Sequence, residues 1–282
     1  MDDVKKATDG FSRREFAAMT TVVAAGAGCA KAAPATASVD LQVKTPDGLC
    51  DAVLIHPAGE GAWPAVLVWP DAFGLRPSFR AMGARLAGEG YTVLVVNQFY
   101  RSRRPPIFPD PVNFSDPAVR AQLGELRKLL TQEAVMRDGA AMIRFLDGQK
   151  AVNAKAKAGV IGFCMGGAMT IQTAAAVPDR IGAGCSFHGG SLVTENPDSP
   201  HLLIPKLKAA YYFGISGDDD AKDPKAKEVL RQAFAAAKLP AKIEVYATSK
   251  HGWTVTDSLV YDKPEAERAW SEQTALFKSA LV

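Results

Sequence analysis

Cysteine, net charge and long apolar runs are all scarce in this chain of 282 residues. The spacing of its four cysteines suits neither paired zinc ligands nor a disulfide framework. The formal net charge is only +3 at pH 7, and the one basic cluster, Arg101, Arg103 and Arg104, is short, which argues against a nucleic-acid-binding protein. We therefore expect no metal, no cofactor and no nucleic-acid partner.

The composition itself is that of an ordinary globular protein, with 48% hydrophobic and 22% charged residues. The length allows one large domain or two small ones, and the sequence contains no internal repeat. Cys50 and Cys185 lie in apolar surroundings, where a cysteine packs as a small hydrophobic residue. A third cysteine, Cys164, has a different context, which is described below.

The first 37 residues differ in character from the rest of the chain. A twin-arginine pair, Arg13 and Arg14, precedes an alanine-rich apolar stretch at 16–28 that is too short and too weakly hydrophobic for stable membrane insertion. Small residues before Ser38 predict cleavage of an export signal there. The mature protein would then be periplasmic or secreted, with the twin-arginine export machinery as a transient partner. A lipid anchor through Cys29 and a cytoplasmic protein with an unstructured tail are the alternatives.

Strand and helix patterns alternate along residues 38–282. The continuous apolar run at 65–69 is typical of a strand covered on both faces, and residues 79–88 have the pattern of a helix. This alternation predicts a single α/β domain of three layers, with a mostly parallel sheet flanked by helices. The strands are predicted at 39–43, 50–56, 65–69, 91–96, 181–187, 208–215 and 242–246, together with a buried strand that ends at Val160 and Ile161. The helices are predicted at 79–88, 118–148 (with a break near 139), 165–175, 224–238 and 265–280.

The segment around Cys164 has the G-x-C-x-G pattern of a nucleophile elbow, with cysteine in the place of serine. In this turn the residues on either side of the nucleophile crowd each other, so Gly162 and Gly166 would remove the offending Cβ atoms. The following helix would point its N-terminus at Cys164 and stabilise a thiolate or an oxyanion. Cys164 is therefore the candidate nucleophile.

A nucleophile in such an elbow needs an acid and a base, which follow it along the chain in that order. His251 comes just after the last predicted strand and is the candidate base. The acid should follow the strand at 208–215, where Asp218, Asp219 and Asp220 are consecutive. We favour Asp220, with Asp219 as a close alternative, and interpret the remaining aspartates as a solvated turn. His188 is expected to be structural or to line a pocket.

These features together resemble the dienelactone hydrolase family of α/β-hydrolases, over residues 39–282. The resemblance rests on the cysteine elbow, on His251-Gly252, on Asp220 four residues before Pro224, and on Asp71-Ala72-Phe73-Gly74 after a buried strand. It implies the α/β-hydrolase fold and an oxyanion hole formed by the amides of Met165 and Ala72. In the family a glutamate at the position of Asp71 contacts the nucleophile, so the shorter Asp71 is a candidate for orienting Cys164. Arg101 and Trp253 are candidates for substrate contact.

The resemblance implies a hydrolase of activated esters or lactones that acts through Cys164, His251 and Asp220 and a thioester intermediate. Its partner would be a small-molecule ester or lactone. An acyltransferase on the same fold and a non-catalytic binding protein remain as alternatives.

Overall fold

The computed structural model describes residues 35–109 and 116–281. Within these residues, eight strands form one sheet in the order β1-β2-β4-β3-β5-β6-β7-β8. The pairs β1–β2 and β2–β4 are antiparallel, and the other neighbours are parallel. The strands are β1 Thr36–Thr45, β2 Gly48–Pro57, β3 Ala65–Trp69, β4 Thr92–Val96, β5 Ala158–Phe163, β6 Ile181–Phe187, β7 Ala210–Ser216 and β8 Ala241–Tyr246.

Helices cover both faces of this sheet. They are α1 Pro77–Gly88, α2 Pro117–Arg127, α3 Gln132–Asp147, α4 Met165–Ala176, α5 Gly217–Lys222, α6 Ala226–Ala236 and α7 Lys263–Ala280, with a 3₁₀ helix at Pro200–Lys206. Buried side chains of α1 and α7 pack in one hydrophobic cluster, and those of α2, α3, α4 and α6 pack in another. Strands β3, β4 and β5 are buried along their whole length because helices lie on both sides of them. The predicted three-layer α/β architecture is confirmed.

The helix predicted at 118–148 is two helices, and its break is not at Gly139. Residues 128–131 separate α2 from α3. Thr131 caps α3, because its side-chain oxygen accepts a hydrogen bond from the Ala134 amide at 3.2 Å. Gly139 lies inside α3, where a Cβ atom would come within 2.6 Å of Thr173 Oγ1. This glycine therefore allows α3 to approach α4 closely.

The predicted export segment lies outside the described residues, apart from its last three. Strand β1 begins at Thr36, which pairs with Pro57, so cleavage before Ser38 would remove the first two residues of this strand. None of the helices in the described part of the chain is long and apolar enough to cross a membrane.

Candidate active site

Cys164 occupies the sharp turn between β5 and α4, as the sequence pattern predicted. Its backbone has φ 53° and ψ −121°, a left-handed conformation that costs a non-glycine residue about 1–3 kcal/mol. A Cβ atom on Gly162 would lie 2.0 Å from the carbonyl oxygen of Gly166, and one on Gly166 would lie 2.4 Å from the carbonyl oxygen of Trp69. The two glycines are thus required by close backbone packing on both sides of the turn.

The three cysteines in the described residues differ in exposure. Cys50 and Cys185 are fully buried, and burial raises the pKa of both thiols. Cys164 is partly exposed at the N-terminus of α4, where the free amides and the helix dipole favour a negative charge. Cys164 is therefore the thiol with both access to solvent and a setting that stabilises a thiolate.

His251 faces Cys164 from the loop that follows β8. Its Nδ1 donates a hydrogen bond of 2.6 Å to Asp219 Oδ2, and its ring is close enough to the Cys164 side chain for that side chain to raise the pKa of His251. Because Asp219 holds Nδ1, Nε2 is the ring nitrogen left to exchange a proton with the sulfur. The three side chains form a connected series at the carboxyl ends of β5, β7 and β8.

The acid that contacts His251 is Asp219, so the prediction that favoured Asp220 is wrong by one residue. The three aspartates lie in the first turn of α5, a short helix that the sequence analysis did not predict. Successive residues of a helix point about 100° apart, so neighbours cannot all face the same partner. Asp220 points away and forms an ion pair of 2.5 Å with Lys227 of α6.

Asp218 also holds the base, although the sequence analysis interpreted it as a solvated neighbour. Its Oδ1 accepts a hydrogen bond of 2.8 Å from the backbone amide of His251. The Ser216 hydroxyl, fully buried at the end of β7, lies 2.7 Å from Asp218 Oδ1 and 2.6 Å from Asp219 Oδ2. One carboxylate thus fixes the backbone of His251 and the next fixes its ring. Because α5 begins immediately after Ser216, the carboxylates of Asp218 and Asp219 both contact His251.

The electrostatics of the site favour a protonated imidazole. Burial disfavours the charged ring, but the hydrogen bonds and negative charges of Asp219 and Cys164 outweigh it and raise the pKa of His251 to about 10. Burial also opposes ionisation of Asp219, yet the hydrogen bonds from His251 and Ser216 lower the pKa of this carboxyl to about 2. At neutral pH these shifts favour an imidazolium at His251 beside an ionised Asp219.

The predicted oxyanion donors lie on two segments that pack against each other. Met165 is the first residue of α4, and its amide is one of those that have no acceptor within the helix. Ala72 follows β3, in the segment against which Gly166 is packed. Gln98, which is buried after β4, donates hydrogen bonds of 2.6 Å to the carbonyl oxygen of Asp71 and 3.3 Å to that of Pro70, and so fixes this segment. The sequence analysis missed Gln98, which its position directly after a buried strand could have indicated.

Comparison with known proteins places the chain in a family. The sequence profile of the dienelactone hydrolase family matches residues 50–281. The chain belongs to the dienelactone hydrolase family. It is 25% identical over 255 residues to the carboxymethylenebutenolidase of Rhodococcus opacus, which covers 89% of this chain and 95% of that protein.

Solved structures show the same fold. A dienelactone hydrolase-like promiscuous phosphotriesterase from metagenomic libraries superposes with a TM-score of 0.70 at 20% identity, over 88% of this chain and 100% of the other. The dienelactone hydrolase of Anabaena variabilis superposes with a TM-score of 0.63 at 15% identity, over 88% of this chain and 99% of the other. The α/β-hydrolase fold expected from the sequence is thus confirmed.

Asp71 does not have the orientation toward the nucleophile that the resemblance to the dienelactone hydrolase family implied. Its Oδ1 and Oδ2 accept hydrogen bonds of 2.6 and 2.8 Å from the guanidinium of Arg76. Its Oδ1 also accepts a bond of 2.9 Å from the Phe73 amide. The same guanidinium binds both carboxylate oxygens of Asp257, at 2.8 and 2.9 Å. Asp71 therefore caps its own turn and ties the segment of Ala72 to the loop that follows His251.

Arg101 and Trp253 are not placed to bind substrate. The Arg101 guanidinium makes two hydrogen bonds, of 2.8 and 2.9 Å, to the buried carboxylate of Asp138 and two, of 3.0 and 2.5 Å, to Asp47. It thus fastens α3 to the turn between β1 and β2. Trp253 has no exposed surface and packs on the rings of Tyr246 and His188. The sequence showed that both residues lie near the site in the chain, but not that their side chains are already occupied.

Proposed function

We propose that this member of the dienelactone hydrolase family hydrolyses activated esters or lactones through Cys164, His251 and Asp219. The observation that carries the proposal is the connected series Cys164–His251–Asp219, in which the carboxylate lies 2.6 Å from Nδ1 and the Cys164 side chain is close enough to raise the pKa of the ring. A small activated ester or lactone is the substrate class that fits the name carboxymethylenebutenolidase of the Rhodococcus opacus relative.

In the first half of the reaction, the Cys164 thiolate attacks the substrate carbonyl and a C–S bond forms. The amides of Met165 and Ala72 receive the negative oxygen, and removing one such donor typically costs about 10²–10³-fold in turnover. As the tetrahedral intermediate collapses, the C–O bond to the leaving group breaks. The His251 imidazolium gives its Nε2 proton to that oxygen, while Asp219 holds the ring through Nδ1. The products are an alcohol (or enol) and a thioester on Cys164.

In the second half, neutral His251 takes a proton from water, and the resulting hydroxide attacks the thioester carbonyl. The C–S bond breaks, the thiolate is regenerated beside the imidazolium, and the carboxylic acid leaves. A thiolate is a weak base and a good leaving group. The first step therefore favours substrates whose own leaving group is at least as good, which is why we expect enol esters and aryl esters to react and simple alkyl esters to react poorly.

The purified protein can be assayed against a series of p-nitrophenyl, enol and alkyl esters and small lactones. We expect turnover of the activated members, loss of that turnover in Cys164→Ala, and retention of it in Cys185→Ala, which changes a buried thiol instead. Equal activity of Cys164→Ala and wild type would contradict the proposal. Adding methanol or a thiol as a competing acceptor separates a hydrolase from an acyltransferase. A hydrolase releases mainly the carboxylic acid, whereas an acyltransferase releases mainly the methyl ester or the thioester of the acceptor.

For the location of the enzyme we propose export through the twin-arginine route, which Arg13 and Arg14 support. Replacing both residues with lysine should keep the full-length precursor in the cytoplasm. The control is a pair of lysine replacements at Arg103 and Arg104, which lie outside the export segment. Cell fractionation with an antibody measures the outcome. Mature protein that still reaches the periplasm in the Arg13→Lys, Arg14→Lys variant would refute this route.

A further inference from the structure

His188 is the second imidazole of the site and has no role in the reaction described above. It follows β6 directly, is 1% exposed, and has a left-handed backbone with φ 39°. Its amide donates a hydrogen bond of 2.7 Å to the carbonyl oxygen of Gly214 in β7, which fixes the backbone at this point. A buried histidine in a strained conformation next to a candidate nucleophile needs a physical explanation.

The hydrogen bonds of the His188 ring determine its protonation. Its Nδ1 lies 3.1 Å from the backbone nitrogen of Cys164 and accepts the N–H of that residue. An accepting ring nitrogen carries no proton, so the ring is neutral and its proton is on Nε2. Nε2 lies 3.0 Å from Thr254 Oγ1 and donates to it. Both nitrogens are thus engaged, one by the nucleophile's backbone and the other by a residue three positions after His251.

The surroundings keep this ring neutral. Burial lowers the pKa of His188 well below 6.5, and the nearby charge of His251 lowers it further, while Asp219 acts in the opposite direction. The rings of His188 and His251 meet edge to face, with centroids 4.9 Å apart, and the ring of Trp253 packs 5.4 Å away. Of the two imidazoles, His251 is the one that exchanges a proton.

We propose that His188 is a positioning residue that braces the elbow of Cys164 against the loop of His251. Through Nδ1 it holds the amide of the strained nucleophile, and through Nε2 it holds Thr254 in the loop that carries the base. The Cys164 amide also donates to the carbonyl of Phe187 at 3.1 Å, and the Cys164 carbonyl accepts from Gly167 and Gly190 at 3.0 and 3.2 Å. Among these contacts, only the imidazole reaches both the elbow and the base loop, and so sets the relation of sulfur to His251. The proposal rests on the proposed function in assigning Cys164 and His251 as the reacting pair.

Two variants remove the brace in different ways. His188→Phe keeps a buried aromatic ring but has no acceptor for the Cys164 amide. Thr254→Val keeps the shape of the threonine but removes the acceptor of Nε2–H, and it leaves the backbone at 188 untouched. His188→Asn is the conservative variant, because its side-chain oxygen can accept the Cys164 amide and asparagine tolerates a positive φ. His56→Phe, on β2, is the matched control at a histidine of a distant strand.

The first measurement is the rate of iodoacetamide alkylation of Cys164 as a function of pH, which needs no substrate. We expect His188→Phe to slow alkylation at pH 7 by about tenfold, within the effect of removing one buried hydrogen-bond partner. The dependence of its alkylation rate on pH should also differ from that of the wild type, because the thiol is no longer held in place beside His251. Thr254→Val should slow alkylation by a smaller factor, His188→Asn should restore most of the rate, and His56→Phe should match wild type.

The second measurement is steady-state hydrolysis of an aryl ester. Because His188 is buried, its loss should lower kcat and leave KM unchanged. Folding is checked by circular dichroism, and if His188→Phe does not fold, Thr254→Val decides the question by the same readouts. Wild-type alkylation rates and pH profiles in the folded variants would overturn the proposal, even if the wild-type enzyme hydrolyses esters. If the wild type hydrolyses none of the esters, the proposed function fails, but alkylation still decides whether His188 braces Cys164.

Discussion

Replacing Asp219 with asparagine tests the assignment of the acid most sharply. The substitution removes the charge that lies 2.6 Å from His251 Nδ1 and keeps the size of the side chain. An asparagine amide can donate to Nδ1, which then becomes an acceptor and moves the ring proton to Nε2 in the resting site. The imidazole would be held in the wrong tautomer, so it could neither retain a second proton easily nor take one from water.

The structure allows the size of this effect to be divided into two parts. The pKa of His251 is raised from 6.5 to about 10, in part by Asp219. If the pKa fell back to about 6.5, roughly a quarter of the rings would still be protonated at pH 7, which is a loss of only about fourfold. Loss of the triad carboxylate in the serine-protease template costs about 10⁴-fold, mainly through the wrong tautomer. We therefore expect kcat/KM of Asp219→Asn to fall by about 10³–10⁴-fold, mostly through orientation.

Steady-state hydrolysis of an aryl ester at fixed pH measures this loss. The matched control is Asp220→Asn, which breaks an ion pair of 2.5 Å with Lys227 on a partly exposed surface. That change should cost at most about 1 kcal/mol of stability and leave kcat/KM close to wild type. Circular dichroism confirms folding of both variants. An inactive Asp220→Asn beside an active Asp219→Asn would refute the reasoning, and so would full activity of both.

Three further predictions follow from the same contacts. In the wild type, kcat/KM should fall as the pH rises through about 10, because the His251 imidazolium is the acid of the first step and loses its proton at that pH. The raised pKa of His251 also stabilises the folded protein. This contribution is complete below about pH 6.5 and is lost as the pH rises to about 10. In Asp219→Asn, a pH–rate profile should show this alkaline limb at lower pH, and an unchanged limb would contradict the assigned contact. Asp218→Ala should lower kcat/KM by about tenfold or more, because the His251 amide loses its acceptor. Urea titrations should show a free energy of unfolding that is lower by about 1–3 kcal/mol. Wild-type kinetics in this variant would show that the hydrogen bond does not position the base. Gly166→Ala should destabilise the fold by at least about 1–3 kcal/mol, since its Cβ would lie 2.4 Å from a backbone oxygen. Gly124→Ala, on the open surface of a helix, should instead stabilise the fold by about 0.5–1 kcal/mol. Thermal unfolding compares the two variants, and equal stability would contradict the close packing at the elbow.

The sequence was sufficient for the parts of the site that depend on local backbone geometry. The pattern of Gly162, Cys164 and Gly166 predicts the turn because a Cβ atom at either glycine would overlap backbone atoms. Alternating apolar and helical patterns predict the order of strands and helices. The position of His251 after the last strand predicts that it reaches the elbow, because the carboxyl ends of parallel strands share one edge of the sheet.

The sequence was not sufficient where the role of a side chain depends on a shift of one residue or on a partner that the sequence does not reveal. Asp219 rather than Asp220 contacts His251 because α5 begins directly after Ser216, and the pattern of consecutive aspartates did not reveal that helix. Asp71 and Arg101 have the residue types expected near a substrate. The Asp71 side chain is instead bound by Arg76, five residues further along the chain, and that of Arg101 by Asp138, which is near it only in the folded chain.

The covalent intermediate on Cys164 is the most direct test of the whole account. The enzyme would be mixed with an aryl ester, quenched in acid within milliseconds to seconds, digested and analysed by mass spectrometry. We predict one added acyl group on the peptide that contains Cys164, released by neutral hydroxylamine as expected of a thioester, and no acyl group on the peptides of Cys50 and Cys185. The acyl group should accumulate in Asp219→Asn if water activation is slowed more than attack. Turnover of the ester with no acylated Cys164 at any time, or with the acyl group on another residue, would contradict the central claim.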